Sequence, residues 1–333
     1  MTPFVSIVLS VRNEGRFLAG TLERVLAQDY PADRMEILVV DGASADGTPE
    51  IVTRMAAHDS RLRLLQNPSM HVAEGLNHGI GASRGDIVVR VDGHCAIPPQ
   101  YVSTCVRLLQ QGVADCVGGP PRAVGTGWMG TAIALAMSSR FGVGGASFRY
   151  TERARYVDHV PFGAYWRRTF DRVGLFDPDL VRNQDDEFSY RLLQAGGRIF
   201  VDPAISAEYW SRSTLGGLWC QYFGYGYYKV LVIRKRCGRP SSVRQLVPPA
   251  VILCLLASAV ASAATGRPEL LGVVWGGYAA FVGVGTMVTL IRRRRWQAVF
   301  LPVVFATMHL AYGSGFLTSL IVGAPGGRRR NRA

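Results

Sequence analysis

Residues 35–48 read Met35-Glu36-Ile37-Leu38-Val39-Val40-Asp41-Gly42-Ala43-Ser44-Ala45-Asp46-Gly47-Thr48, an apolar run that stops at a carboxylate and gives way to small and acidic residues. The Met35–Val40 run predicts a buried strand. Thr48 followed by Pro49 predicts an N-cap with proline in the first helical position, opening a helix to about Ala57. The flanking sequence repeats the pattern. Val5–Val11 is a β-rich run ending at Arg12-Asn13-Glu14-Gly15, and Leu18, Leu22, Val25 and Leu26 then share one helical face. Arg61–Leu65 predicts a third strand and Ile87–Val91 a fourth, followed at once by Asp92-Gly93-His94. Ala73–Ala82 between them predicts a helix that Gly75, Gly79 and Gly81 weaken. Strands alternating with helices imply βαβ units, hence an α/β fold with a mostly parallel sheet and flanking helices. Ligands bind such sheets beyond the carboxyl ends of the strands, where Arg12-Asn13-Glu14, Asp41 and Asp92 all fall. One acidic loop there is ordinary; three on one edge predict a site. No GxGxxG and no Walker loop is present, which excludes a nicotinamide-binding Rossmann unit and a P-loop. A diphosphate bound here needs another counter-charge, and a metal held by Asp92 is the candidate.

The chain has 333 residues, room for about two domains, and 48% hydrophobic against 18% charged residues excludes a disordered or fibrous chain. Its net charge of +13 is unevenly held. After Tyr209 there are sixteen basic residues and one acid, Glu269, so this part carries +15 and the preceding part −2. The arginines lie between three apolar runs, Val247–Thr265, Leu270–Ile291 and Ala298–Val322, each roughly twenty residues or more and so long enough to cross a bilayer as a helix. Thr214–Ile233, rich in aromatic residues and flanked by basic ones, predicts a helix lying in the headgroup region, with a core helix as the alternative. Arg234–Arg244 and Arg292–Arg295 fall on one side of the first two runs, and the positive-inside rule makes that side cytoplasmic. Pro3–Val11 is too short for a secretory signal and lacks a small-residue cleavage site, which also keeps the head in the cytoplasm. The third run either crosses or turns back near Tyr312-Gly313-Ser314-Gly315. The six cysteines show no CxxC pair or zinc spacing, as suits a reducing compartment. The acidic head argues against nucleic acid as a partner.

The runs Val5–Glu14, Val39–Thr48 and Asp92-Gly93-His94 resemble the inverting family 2 glycosyltransferases of GT-A fold. So do Asn183-Gln184-Asp185-Asp186-Glu187-Phe188-Ser189-Tyr190-Arg191-Leu192 and Gln221–Gly226. With Phe141-Gly142-Val143-Gly144-Gly145, they look most like the succinoglycan-biosynthesis branch. The resemblance implies a nucleotide-sugar site. Asp41 would accept from the uracil N–H of a UDP-sugar, Asn13 and Glu14 would lie beside base and ribose, and Arg12, Ser44 and Gly163 would complete the donor site. Asp92 and His94 would take the DxD position and hold Mn²⁺ or Mg²⁺, although relatives usually carry a second carboxylate where His94 stands. A second departure is Tyr209-Trp210, where many relatives place a metal-binding histidine.

Inverting transfer needs a carboxylate to deprotonate the attacking hydroxyl. The pattern assigns that role to Asp185, with Asp186 as runner-up and Arg191 as the matching arginine; acids at a helix start also stabilise its dipole, the structural alternative. Gln221, Tyr222 and Lys229 are assigned to the acceptor side. Gln221 is followed by Phe223-Gly224-Tyr225 rather than Arg-Trp, which disfavours processive polymerisation. The sequence therefore predicts a GT-A head over 1–209, an interfacial segment over 210–245, hydrophobic segments over 246–323 and a basic tail over 324–333. The expected protein is a multi-pass inner-membrane enzyme with a cytoplasmic head, moving sugar from a UDP-sugar to a polyprenyl-linked saccharide. A polyprenyl-phosphate sugar synthase is the enzymatic alternative; a non-catalytic membrane protein is the rival from another class.

Overall fold

The computed structural model describes residues 2–236, 238, 240 and 242–323. The basic tail at 324–333 lies outside the described residues. The chain forms two compact units, one from Met1–Arg122 and Thr151–Tyr209, the other from Ala123–Tyr150 and Trp210–Ala333.

The first unit is a mixed sheet. Its strands are β1 (Val5–Val11), β2 (Met35–Asp41), β3 (Leu62–Gln66), β4 (Ile87–Arg90), β5 (Cys95–Ala96), β6 (Cys116–Gly118), with β7 (Pro121–Val124) leaving it, then β8 (Arg155–Tyr156), β9 (Ala164–Trp166), β10 (Ile199–Val201) and β11 (Ala207–Trp210). Eight of them form one sheet in the order β3-β2-β1-β4-β9-β6-β10-β8. The first four are mutually parallel, and β9 enters antiparallel between β4 and β6. Helices α1 (Leu18–Leu26), α2 (Thr48–Ala56), α3 (Val72–Ala82), α4 (Tyr101–Gln110), α7 (Arg167–Val173) and α8 (Gln184–Gln194) cover it. The mostly parallel α/β sheet read from the sequence is the one observed.

Strand alternation sorts the core onto two faces. Val5, Ile7, Leu9 and Val11 of β1 pack with Leu18, Leu22 and Val25 of α1, whereas Val8 packs with Leu38, Leu76, Phe188 and Leu192. Each large apolar side chain so buried contributes about 1.5–3 kcal/mol. The glycines that weaken α3 on propensity have a packing reason. A methyl on Gly79 would strike the Val8 side chain, and one on Gly75 the Ser10 hydroxyl. Their absence lets α3 lie close on the sheet. Thr48 is not the N-cap that the sequence predicts. Gly47, at φ +82°, takes that position, and the buried Thr48 is the first residue of α2, its hydroxyl donating to Asp46 at 2.6 Å.

The second unit is helical: α5 (Gly127–Met137), the single turn α6 (Arg140–Val143), α9 (Leu215–Lys235), α10 (Val247–Thr265), α11 (Pro268–Arg293) and α12 (Leu301–Val322). With their flanking turns, the last three form apolar helices of 23, 26 and 27 residues, long and apolar enough to cross a membrane. Leu256, Val260, Val273, Val284 and Met287 are exposed along α10 and α11, an apolar surface suited to lipid. Helix α12 runs through 312–315 without a break, so the turn considered there for a re-entrant run is not formed. Helix α9, capped by the Thr214 hydroxyl, buries Leu218, Tyr222, Gly226 and Val230. It meets α12 at glycines: a methyl on Gly226 would strike the Tyr312 carbonyl, and one on Gly315 the Phe223 carbonyl. Small residues bring helix backbones together in this way where apolar burial gives no preference for protein over lipid.

Candidate functional site

The loops after β1 and β2 are hydrogen-bonded into one structure. Asn13, at φ +54°, donates its N–H to the Ser44 hydroxyl at 2.8 Å and accepts at Oδ1 from Ala45 N–H at 3.0 Å. Glu14 N–H donates to the Thr48 hydroxyl at 2.9 Å, and Gly15 N–H to Asp46 Oδ2 at 2.9 Å. Asn13, Glu14, Asp41 and Ser44 are thus brought together, with Arg12 exposed beside them. Asp41 ends β2 opposite Val11 and is 1% exposed. Its Oδ2 accepts from Ser44 N–H at 3.0 Å, while its buried Oδ1 has no hydrogen-bond partner among the described residues. A buried acceptor without a donor is costly, and an ordered water or a ligand N–H can supply what it lacks.

The loop after β4 carries the second group. Thr21 of α1 holds it, its one hydroxyl proton shared between the carbonyls of Gly93 and Cys95 at 3.0 and 2.9 Å. His94 Nδ1 lies 2.8 Å from Glu14 Oε1, and its ring packs against Tyr209 at 5.1 Å. A carboxylate beside Nδ1 favours the imidazole N–H at that nitrogen. Carboxylates orient metal-binding histidines in this way. Asp92 Oδ1 accepts from Arg90 Nη2 at 3.0 Å and Nε at 3.2 Å. Among the described residues no three His, Cys, Asp or Glu side chains form a metal cage. One carboxylate and one imidazole nonetheless fit a metal that takes its remaining ligands from water and substrate phosphates, as Mg²⁺ commonly does. Imidazole suits Mn²⁺ better.

The third group opens α8. Asn183, at φ +63°, turns the chain into the helix, and Asp185 lies in its first turn. Asp185 Oδ2 stands 3.6 Å from Arg90 Nη1 and 3.6 Å from His159 Nε2, and its Oδ1 accepts from Asp186 N–H at 2.9 Å. His159 is 9% exposed, and its Nδ1 bonds with the Ser189 hydroxyl at 3.0 Å. Burial pushes the Asp185 carboxyl up, but His159 and Arg90 together outweigh it, and its pKa falls below the ordinary value. The carboxyl is held ionised.

Arg90 and His159 are the two site residues that sequence reasoning missed. Arg90 reads as one residue of the Ile87–Val91 strand, and His159 as a polar residue before Val160-Pro161-Phe162. A charged residue interrupting an apolar run was the available signal for Arg90; for His159 there was none. Other assigned residues have their contacts elsewhere. Arg191 pairs with Glu187 at 2.7 Å, donates to the carbonyls of Val173 and Leu175, and lies over the Phe188 ring. These contacts fasten α8 to the end of α7. Gly163 accepts at its carbonyl from Arg90 N–H at 2.9 Å, and a methyl there would strike the Tyr165 hydroxyl. Gln221, Tyr222 and Lys229 belong to the second unit, where all three are buried on α9 and Gln221 donates to the Tyr225 hydroxyl at 2.9 Å.

Residues 6–174 match the family described as glycosyl transferase family 2. The chain is 30% identical over 320 residues to the succinoglycan biosynthesis protein ExoA of Rhizobium meliloti (strain 1021), covering 95% of this chain and 94% of that one. It is 25% identical over 331 residues to the dolichyl N-acetyl-α-D-glucosaminyl phosphate 3-β-D-2,3-diacetamido-2,3-dideoxy-β-D-glucuronosyltransferase of Methanococcus voltae, covering 96% and 98%. Among solved structures, the mannosyltransferase PcManGT from Pyrobaculum calidifontis, in complex with GDP-Man and Mn²⁺, superposes with a TM-score of 0.62 at 20% identity, over 97% of this chain and 88% of that one. That likeness is one of fold.

Arg90 and His159, the two neighbours that hold the Asp185 pKa down, make a prediction about proton binding. His159→Gln removes one of them, so the Asp185 pKa should rise toward the ordinary carboxylate value. A carboxyl with a depressed folded-state pKa adds stability that is present above its unfolded pKa and lost as pH falls through the folded one. That acid-side contribution should shrink in the variant. Carbon NMR of labelled aspartate carboxyls, read across the acid range, measures the shift. An unchanged Asp185 titration would remove His159 from the account.

Proposed function

The chain belongs to glycosyl transferase family 2 and is a glycosyltransferase, and from that premise we propose that it transfers a sugar, with inversion, from a UDP-sugar to a lipid-linked saccharide acceptor in the building of a cell-surface polysaccharide. The unpaired, buried Oδ1 of Asp41 carries the donor half of this reading. It is an acceptor at the end of a parallel strand, where an imide N–H of uracil supplies the missing donor. The acceptor half is supported by the helices long and apolar enough to cross a membrane and by the relative whose name carries a dolichyl-linked sugar phosphate.

In the proposed reaction, Asp185 takes the proton of the acceptor hydroxyl as its oxygen attacks the anomeric carbon from the face opposite the leaving UDP. Arg90 and His159 keep Asp185 ionised between turnovers and fix its orientation. Arg90 also holds Asp92 through Oδ1, leaving the other carboxylate oxygen for a metal. Asp92 and His94 would hold a divalent ion, Mn²⁺ or Mg²⁺, which as a Lewis acid stabilises charge on the departing diphosphate.

Calorimetry with UDP and GDP, in Mn²⁺ and in EDTA, tests the donor reading. UDP should bind more tightly than GDP, and Asp41→Ala should weaken UDP by about 1.5–3 kcal/mol, the worth of a hydrogen bond to a charged group. Preference for GDP would overturn the UDP assignment. Equal UDP affinity in EDTA would end the metal role of Asp92 and His94.

Asp185→Asn should leave UDP affinity nearly unchanged while turnover falls by about 10²–10⁴-fold, the usual contribution of a positioned base. Asp186→Asn should keep most activity, because loss of a helix-end charge costs only about 0.3–1 kcal/mol of stability. The reverse order of the two variants would move the base to Asp186. Near-wild-type turnover in both would favour a phosphate acceptor, which needs little base catalysis.

The proposed site of action is the inner membrane with the head on the cytoplasmic side, supported by the arginines at one end of α10 and α11. In intact spheroplasts, an impermeant thiol reagent should not reach a cysteine introduced on the exposed surface of the head after background cysteines are removed. Ready labelling before lysis would refute the orientation.

A further inference from the structure

The glycine-rich turn Phe141-Gly142-Val143-Gly144-Gly145 has no part in the reaction outlined above. It lies in the helical unit, and two contacts fix its depth there. The Phe141 carbonyl accepts from His309 Nε2 at 2.8 Å, and His309 stands eight residues into α12, about 12 Å along it at 1.5 Å per residue. The Phe141 ring fills the space beside Gly285, 2.6 Å from where a methyl would sit, and Gly285 stands eight residues before the end of α11, again about 12 Å. Both helices are measured from the end marked by Arg292–Arg295 and Trp296, residues of the kind that mark a membrane–water boundary. Phe141 therefore reaches well inside the apolar zone, and Arg140 is its neighbour in sequence.

The segment returns from there carrying cations. The Arg140 guanidinium lies 5.2 Å from the centre of the Tyr150 ring, and the Tyr150 hydroxyl donates to the Gly144 carbonyl at 3.2 Å. Arg244 crosses Gly145: its Cδ and Nη1 are 3.0 and 3.3 Å from the position a methyl on Gly145 would take. A methyl there would press on that side chain and move it by a few tenths of an ångström. Both arginines are exposed, and among the described residues neither forms an ion pair with a carboxylate. The helical unit holds eighteen basic residues and a single acid. That acid, Glu269, opens α11 at the end opposite Arg292 and Arg293. Exposed arginines at the boundary of an apolar zone attract anions, and the unit offers these two no carboxylate among the described residues.

We propose that Arg140 and Arg244, on the bare Gly144-Gly145 turn, bind the phosphate or diphosphate of a lipid whose apolar chain lies along the exposed faces of the membrane helices. The inference rests on the lipid-linked acceptor proposed above and adds where its headgroup is held. Guanidinium groups match phosphate oxygens in a planar, two-pronged fashion, and a glycine turn lets the ligand approach the backbone. The source we commit to is an isoprenyl phosphate. Ordinary anionic phospholipid is the competing source of the same chemistry, since arginines near apolar helices also serve as general lipid contacts.

The test uses the full chain in phosphatidylcholine nanodiscs, with undecaprenyl phosphate as probe, phosphatidylglycerol as competitor, and native mass spectrometry to count bound lipid. Undecaprenyl phosphate should bind the wild type and resist an equal concentration of phosphatidylglycerol. Arg140→Gln and Arg244→Gln should each weaken it by about tenfold or more. Arg140→Lys, which keeps the charge, should fall between, and Arg267→Gln, between α10 and α11, should bind as wild type. UDP affinity measured on every variant reports folding, and it separates this inference from the donor reading. If wild type binds UDP while undecaprenyl phosphate fails to bind, binds both glutamine variants undiminished, or yields to phosphatidylglycerol, the headgroup site is refuted and the donor site stands.

Discussion

One buried guanidinium joins the parts of the candidate site. Arg90 ends β4 with only 7% of its side chain exposed, and a charge so placed is tolerable only among carboxylates. It has two, Asp92 two residues on and Asp185 from the first turn of α8. Its backbone N–H also bonds to the Gly163 carbonyl before β9. Three segments distant in sequence are thereby tied at one cation. The carboxylates are in turn placed by it: Asp92 with one oxygen committed, Asp185 ionised despite its burial. The α/β frame brings the strand ends to one edge, and this arginine decides which charges that edge can keep.

The frame itself was legible because periodicity and punctuation agreed. Val5–Val11, Met35–Val40 and Ile87–Val91 announce their strands, and the acidic loops that follow them announce the edge. What stayed hidden depends on pairing across the fold. Glu36 lies inside an apparently apolar run, yet it is 2% exposed and accepts from the Ser6 hydroxyl at 2.6 Å and from Arg84 N–H at 2.6 Å. Nothing local distinguishes it from a surface acid. His159 acquires its meaning only when α8 brings Asp185 and Ser189 to it. Arg191 shows the opposite: a matching position in a motif, and contacts that fasten a helix. The glycines of α3 lowered a propensity estimate because their reason, close approach to β1 and β2, lies outside the helix.

The helical unit obeys different rules. Burial against water does not decide its packing, so glycine contacts, one histidine and the distribution of arginines do. His309 is an example: it links the Tyr278 hydroxyl at 3.1 Å to the Phe141 carbonyl at 2.8 Å, joining α11, α12 and the α6 turn. The run 127–137 is apolar enough to stand out, yet it falls in the stretch that reads as head. Linear order and spatial grouping part company there, since 123–150 belongs with the helices that follow Tyr209.

The meeting of α9 with α12 has a consequence in time. Phe223 and Gly226 face Tyr312 and Gly315 with no side chain between the backbones, so the surface of α9 around them lacks this partner until α12 has been made. At 5–20 residues per second, the intervening stretch takes on the order of ten seconds to synthesise. Throughout that interval the buried face of α9, which carries Gln221 and Lys229, lacks its α12 cover. For this helix, assembly waits until α12 has been translated.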